Sequence, residues 1–138
     1  MRKLGIDYGE ARVGIALTDT LNITAQGLET IQRNGSDKIV LRRLDEILSQ
    51  YEIDTIVVGM PLNLKGEKTV RAQITEQFIH KLKCKYNKLK IEAVDERLTT
   101  VAAHKTMNFL DINKNKKRDI VDTISAVYIL ETYINKNK

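Results

Sequence analysis

The chain of 138 residues has few of the residue types that build covalent or aromatic frameworks. It contains one cysteine, Cys84, one proline and no tryptophan, and aromatic residues make up 5% of it. A single cysteine excludes a disulfide framework within the chain and zinc sites built on several cysteines, and it favours a reducing, cytoplasmic setting. The scarcity of aromatic side chains argues against a platform on which the bases of a single strand would stack.

Long hydrophobic runs are missing as well. No apolar stretch approaches the roughly 20 residues that span a bilayer, and the N-terminus lacks the charged and then apolar segment of a signal peptide. We therefore expect no membrane contact. The length, with 42% hydrophobic and 30% charged residues, predicts a single globular domain over residues 1–138.

Positive charge is in moderate excess, with 23 Lys and Arg against 18 Asp and Glu. The basic residues cluster in "HKLKCKYNKLK" (80–90) and "NKNKKR" (113–118). This excess favours an anionic partner such as nucleic acid, bound through its phosphates. A solvated helix face and a polar loop would account for the same two runs.

The hydrophobic pattern predicts three strands followed by alternating helices and strands. Ser36 is a plausible N-cap for the first helix, and Val70, Ile74, Phe78 and Leu82 are expected on one side of the second. A polar loop is predicted at 111–118. This order indicates an α/β fold of the ribonuclease H-like type, with a mixed five-stranded sheet, an antiparallel opening meander and helices on both faces. The predicted strands are 3–7, 13–18, 28–31, 53–59 and 91–96, and the predicted helices are 36–51, 67–86, 99–107 and 119–134.

Acidic residues stand where such a fold would bring them together. Asp7 closes the first strand, the pair Asp95 and Glu96 closes the last, and Asp122 lies in the final helix, with Asp119 as a weaker candidate. Sites in α/β sheets gather at the carboxyl ends of parallel strands. Clustered carboxylates suit Mg²⁺ or Mn²⁺, and two such ions can promote phosphodiester cleavage.

Each of these acids also has an ordinary structural interpretation. Asp7 could start a turn, Asp119 could cap the last helix, and the acidic pair could mark a strand leaving the core. Strand alternation puts Asp95 and Glu96 on opposite faces, and the pattern does not decide which of them faces the site.

Candidate phosphate ligands lie near these acids. Asn63 follows the central strand and leads to a helix start with Lys68 and Arg71, where a phosphate could bind. Arg12 and Arg97, next to the carboxylates in sequence, could contact phosphate or pair with the acids. We expect the loop 111–118 to become ordered on nucleic acid through its lysines, Lys114, Lys116 and Lys117.

Four segments, "GIDYGEARVGIALTD", "VVGMPLNLKG", "VDERLTT" and "VDTISAVYILETY", together resemble the signature blocks of the YqgF/RuvX family of Holliday-junction-resolvase-like proteins. The resemblance implies a ribonuclease H-like fold and an endonuclease that matures the 5′ end of pre-16S ribosomal RNA. It also implies an active site of Asp7, the pair Asp95–Glu96, and Asp122. Unlike the junction resolvases, this chain has no acid at the end of the strand 53–59.

The leading prediction is a Mg²⁺- or Mn²⁺-dependent endonuclease that acts on structured RNA in preference to branched DNA. A Holliday junction resolvase is the nearest alternative. The sequence shows no coiled-coil pattern and no obvious apolar stripe for dimerisation, so a monomer is favoured over a homodimer. Two further alternatives are a non-catalytic RNA-binding assembly factor and an actin-like nucleotide-binding domain, since "DYGEARVG" is similar to the phosphate loop of those proteins.

Overall fold

The computed structural model describes residues 1–61, 65, 69–95 and 114–136, and for residues 114–122 it describes the backbone alone. None of the helices in these ranges is long and apolar enough to cross a membrane. The strands are β1 (Arg2–Tyr8), β2 (Arg12–Thr18), β3 (Ala25–Gln32), β4 (Ile53–Met60) and β5 (Lys90–Asp95). The helices are α1 (Asp37–Gln50), α2 (Val70–Lys85) and α3 (Lys114–Lys136).

The five strands form one sheet in the order β3-β2-β1-β4-β5. β1 lies in the middle, antiparallel to β2 and parallel to β4, and Ile6 pairs with Ile15 on one side and Val58 on the other. β2 and β3 are antiparallel, and β4 and β5 are parallel. The predicted mixed sheet with an antiparallel opening meander is therefore confirmed.

The two faces of the sheet are covered by different helices. On the first, the α1–α2 face, Ile6 and Ile15 pack with Leu44 of α1 and Phe78 of α2. On the second, the α3 face, Ala16, Val57 and Val94 pack with Ala126, Ile129 and Leu130 of α3. A Cβ atom added to Gly5 would lie 2.5 Å from Leu130 Cγ, so α3 rests directly on β1.

Helix α1 begins where the sequence predicts. The Ser36 side chain accepts a 3.2 Å hydrogen bond from the Lys38 backbone N–H and so satisfies one of the free donors of the first turn. Asn34 and Gly35 precede it with positive φ angles of 51° and 75° and form a turn.

Helix α2 buries a different stripe from the one predicted. Phe78 and Leu82 are buried as expected, but Val70 is 73% exposed and Ile74 is 38% exposed. Stacking of Phe78 on Tyr8, with ring centroids 4.1 Å apart, fixes the rotation of the helix about its axis. The turns on either side of Phe78 therefore bury Ala72, Thr75 and Ile79.

The predicted polar loop at 111–118 is wrong for its larger part, because residues 114–118 belong to α3. Asp119 therefore lies inside a helix and does not cap its start. The run of lysines has no apolar periodicity, yet Lys and Arg have good helix propensity and no glycine or proline interrupts them. Residues 111–113 and the predicted helix 99–107 lie outside the described residues.

Candidate active site at the carboxyl end of β1

Asp7 lies on the α3 face of the sheet, at the carboxyl end of the central strand. Gly5, two residues earlier in β1, lies against α3, and side chains two residues apart on a strand share a face. The Asp7 side chain is half-buried. The structure thus places the predicted strand-end acid beneath the helix that carries Asp122.

Glycines flank Asp7 on both neighbouring strands. Gly14 of β2 is its direct partner, and on β4 Gly59 follows Val58, which pairs with Ile6. Because neither glycine has a side chain, the adjacent strands do not fill the space beside the carboxylate. A glycine inside a strand often marks such a close approach of a ligand, and the carboxylate oxygens of Asp7 are ligands that Mg²⁺ or Mn²⁺ accepts.

The turn between β1 and β2 is closed by Gly9. Its N–H donates a 2.9 Å hydrogen bond to the Arg12 carbonyl. A Cβ atom at Gly9 would lie 2.3 Å from that carbonyl oxygen, so only glycine fits here. Arg12, a predicted phosphate ligand, is half-buried at the other side of this turn.

Tyr8, the residue after Asp7, enters a polar cluster on the α1–α2 face. Its hydroxyl donates a 2.5 Å hydrogen bond to Asp37 Oδ1, and Arg33 Nε donates to the same oxygen at 2.8 Å. Lys81 Nζ donates to Asp37 Oδ2 at 2.7 Å. Burial raises the pKa of Asp37, but the hydrogen bonds from Lys81, Tyr8 and Arg33 outweigh it and lower this pKa to about 2. Burial and the Asp37 contact raise the pKa of Tyr8 to about 12.

This cluster was not predicted from the sequence. Asp37 follows a helix cap and reads as an ordinary first-turn acid, and nothing in the sequence links it to Tyr8, 29 residues away.

Arg71 also contacts the end of β1. Its Nη2 donates a 2.5 Å hydrogen bond to the Tyr8 carbonyl oxygen. The guanidinium groups of Arg71 and Arg33 lie 5.7 Å and 5.5 Å from the Tyr8 ring centroid. Arg71, predicted from sequence as a phosphate ligand, is thus adjacent to the residue that follows Asp7.

The last strand carries Asp95 away from the Asp7 face. Val94 packs on the α3 face, whereas Ile91 packs against the core of the α1–α2 face. Asp95 shares the face of Ile91 by alternation, and its partner Met60 packs on that same core. Asp95 is exposed at the end of β5. The other predicted residues of this region, Asn63, Lys68, Glu96 and Arg97, lie outside the described residues.

Helix α3 brings the backbone of Asp122 over the sheet. Asp122 stands one turn before Ala126 and two turns before Ile129, both fully buried on the α3 face. Helical spacing therefore puts Asp122 on the sheet-facing side of α3. The first turns of α3 also contain Asp119 and the three predicted lysines, Lys114, Lys116 and Lys117.

Within the described part of the chain, no three Asp, Glu, His or Cys side chains are close enough together to hold a metal ion. The two predicted acids whose side chains are described, Asp7 and Asp95, lie on opposite faces of the sheet. A metal site at Asp7 would therefore draw its further ligands from α3 and from the residues that follow β5.

Comparison with known proteins gives one family over nearly the whole chain. Residues 1–136 match the family described as RuvX, Holliday junction resolvase. A protein of Ruminiclostridium cellulolyticum is 48% identical over 136 residues, which are 99% of this chain and 95% of that protein. One from Acetivibrio thermocellus is 44% identical over 98% of this chain and 96% of that protein. Both relatives are named as candidate pre-16S rRNA nucleases.

Solved structures give the same fold at low sequence identity. The RuvC protein of T. thermophilus in complex with a Holliday junction substrate matches with a TM-score of 0.59 and 14% identity, over 99% of this chain and 96% of that chain. The fowlpox virus Holliday junction resolvase matches with a TM-score of 0.59 and 13% identity, over the full length of both chains. These matches confirm the ribonuclease H-like fold.

Proposed function

The chain belongs to the RuvX family and is a nuclease, and we propose that it is a divalent-metal-dependent endonuclease that processes the 5′ end of pre-16S ribosomal RNA. The names of its relatives support this substrate. A cytoplasmic location and a monomeric state are part of the same proposal, since ribosomal RNA matures in the bacterial cytoplasm and a single cut needs one site.

The observation that carries the proposal is the position of Asp7. It is a half-buried carboxylate between two glycines, at the carboxyl end of the central strand and on the face of α3. We propose that Asp7, Glu96 and Asp122 hold Mg²⁺ or Mn²⁺ there. When bound, the metal would supply positive charge to stabilise the charge that develops on the phosphate.

Glu96 is preferred to Asp95 because of the alternation in β5. Val94 packs on the α3 face, and the alternation of a strand continued by one residue would put Glu96 on that face. Asp95 lies on the face of Ile91 and Met60. Asp119, three residues before Asp122, remains the weaker candidate.

The basic residues at this edge would bind the RNA backbone. Arg71 lies at the first turn of α2, beside the end of β1, and Arg12 lies across the β1–β2 turn. We propose that Asn63, Lys68 and Arg97 add to these contacts. Lys114, Lys116 and Lys117 would extend them along α3. Such contacts position the phosphates and carry little sequence information.

The test is cleavage of a pre-16S RNA fragment by wild type and by Asp7→Asn, in Mg²⁺ and in Mn²⁺, with the cut ends mapped. We expect Asp7→Asn to lose at least about a hundredfold in rate, since even changes in the outer shell of a metal site cost roughly ten- to a hundredfold. Asp54→Asn is the control. Asp54 lies at the opposite end of the sheet, where its carboxylate accepts a 2.7 Å hydrogen bond from Lys3. Equal rates for Asp7→Asn and wild type would refute the assignment.

Cleavage of four-way DNA junctions is the second candidate, because the RuvC structure with the same fold was determined with a Holliday junction. The same proteins should be incubated with a synthetic junction and weighed in solution with and without it. A dimer that cuts the junction faster than the RNA fragment would favour this alternative. A monomer that leaves the junction intact would exclude it.

A further inference from the structure

We propose that Asp37 anchors a positioning network that holds the β1–β2 turn, and through it the Asp7 carboxylate, in the geometry that cleavage requires. This inference rests on the proposed function, since it assigns a role relative to Asp7. Of the residues in this network, Arg71 is the one that the proposed function also places at the RNA backbone. The network acts through the backbone of the turn.

Arg33 is the link between Asp37 and the turn. Its Nε donates to Asp37 Oδ1 at 2.8 Å, and its Nη1 donates to the Glu10 carbonyl oxygen at 3.1 Å. The backbone N–H of Arg33 donates to the Ala11 carbonyl oxygen at 2.9 Å. One residue thus joins the start of α1 to two successive carbonyl groups of the turn.

Tyr8 is held at three points. Arg71 donates to its carbonyl oxygen at 2.5 Å, Asp37 accepts from its hydroxyl at 2.5 Å, and Phe78 stacks on its ring. Because Tyr8 follows Asp7 directly, these contacts fix the peptide plane after Asp7. The direction of the Asp7 side chain depends on that backbone, and a shift of about 1 Å at a reacting group can cost roughly a hundredfold in rate.

Asp37 is the only carboxylate that the described contacts of this network include. Its side chain is 10% exposed and accepts hydrogen bonds from Lys81, Arg33 and Tyr8. Removing the charge of Asp37 would leave the cations of Lys81 and Arg33 side by side without an anion between them. Arg33 would also lose the contact that orients its guanidinium group. The loss of a partner in a buried charge cluster costs more than one hydrogen bond.

The chain offers a matched control on the same helix. Asp45, two turns after Asp37, also joins α1 to α2, since its carboxylate accepts from Lys85 Nζ at 2.8 Å and from the Tyr86 hydroxyl at 2.7 Å. Both partners lie at the C-terminal end of α2, towards the end of the sheet opposite the turn. Asp45→Asn therefore removes a similar bridge between helices without touching the network.

The experiment compares Asp37→Asn, Asp37→Glu, Tyr8→Phe and Asp45→Asn with wild type. It measures kcat and KM on the pre-16S RNA fragment in Mg²⁺, and the hydrogen exchange of the Gly9 amide, which bonds to the Arg12 carbonyl. We expect Asp37→Asn to lower kcat roughly ten- to a hundredfold, to leave KM within about twofold, and to speed exchange at Gly9. Asp37→Glu should restore part of the lost kcat and part of the slow exchange at Gly9. Asp45→Asn should match wild type in kcat and in this exchange.

Tyr8→Phe keeps the ring stacked on Phe78 and removes one donor to Asp37, so it tests the same link should Asp37→Asn fail to fold. We expect Tyr8→Phe to lower kcat less than Asp37→Asn does, and to raise the exchange rate of the Gly9 amide less. Wild-type kcat and wild-type exchange in the folded Asp37 and Tyr8 variants would overturn the proposal, and so would equal effects of Asp45→Asn. Failure of the proposed function would appear separately, as full activity of Asp7→Asn.

Discussion

Asp7 and Gly14 are direct partners across the antiparallel pair of β1 and β2. Their Cα atoms face each other, and both positions lie on the face that α3 covers. On the other side of Asp7, β4 contributes Gly59, again without a side chain. The carboxylate is therefore bordered within the sheet by backbone alone, and a side chain introduced at either glycine position would change that border.

A side chain at position 14 should impair cleavage without disrupting the strand. Valine favours strands, so Gly14→Val should keep β2 intact while it puts two methyl groups beside Asp7. We expect cleavage of the pre-16S RNA fragment to fall at least about tenfold, with a smaller fall for Gly14→Ala. Initial rates and far-ultraviolet circular dichroism would be measured together. A folded Gly14→Val protein that cuts at the wild-type rate would show that cleavage does not require glycine at this position.

Asp95 and Glu96 should differ sharply despite being neighbours. Because alternation puts Asp95 on the face of Ile91, away from Asp7, we expect Asp95→Asn to change the cleavage rate by less than about threefold. Glu96→Gln should lower it roughly a hundredfold, as a lost metal ligand would. Each variant is the isosteric control for the other, and the readout is the rate as a function of Mn²⁺ concentration. The reverse order of effects would assign the ligand to Asp95.

The sequence predicted β1, β2 and β4 well because they are short apolar runs with clear ends, whereas the more polar β3 extends beyond the predicted 28–31 to Ala25–Gln32. β4 is the clearest, since a β-branched run buried on both faces has few alternatives. The position of Asp7 was predicted from the end of β1. The sequence does not define which side chains of β5 face α3, and the register of β5 in the structure puts Asp95 on the other face.

Two kinds of feature could not be predicted from the sequence: contacts between residues far apart in the chain, and helical segments without an apolar periodicity. The lysine-rich start of α3 has no apolar stripe, so it read as a loop. The rotation of α2 depends on the stacking of Phe78 on Tyr8, a contact between residues 70 positions apart. The link from Tyr8 to Asp37 is of the same kind, because pairs that distant in sequence leave no local pattern.

The Asp37 cluster should make stability depend on acid pH. An unfolded aspartate titrates near 3.9, whereas the pKa of Asp37 in the folded protein is about 2. Its contribution, on the order of 2–3 kcal/mol, is therefore complete above about pH 4 and is lost as the pH falls through 2. We expect Asp37→Asn to be less stable than wild type in urea at pH 7, and the gap to narrow between pH 4 and pH 2. Asp45→Asn, at a more exposed carboxylate, should show a smaller gap, and a gap independent of pH for Asp37→Asn would contradict the prediction.

The lysines at the start of α3 should set part of the salt dependence of RNA binding. Alanine has the highest helix propensity, so replacing Lys114, Lys116 and Lys117 with alanine should retain the helix. Each lost phosphate contact lowers the slope of log K against log salt concentration by about 0.7 for a single strand, and we expect a decrease of at least about 0.7 for the triple variant.

A second triple variant, with the same change in net charge, is the control for these lysines. Lys83, Lys88 and Lys136 are exposed and lie at the far ends of α2 and α3 and in the turn before β5, so replacing them with alanine should leave the slope within about 0.3 of wild type. Binding would be measured by fluorescence anisotropy of the labelled RNA fragment over a series of salt concentrations. Because residues 114–118 are already helical, the effect of replacing these lysines should come from the loss of charge. Equal slopes for the two triple variants would place the RNA backbone away from α3.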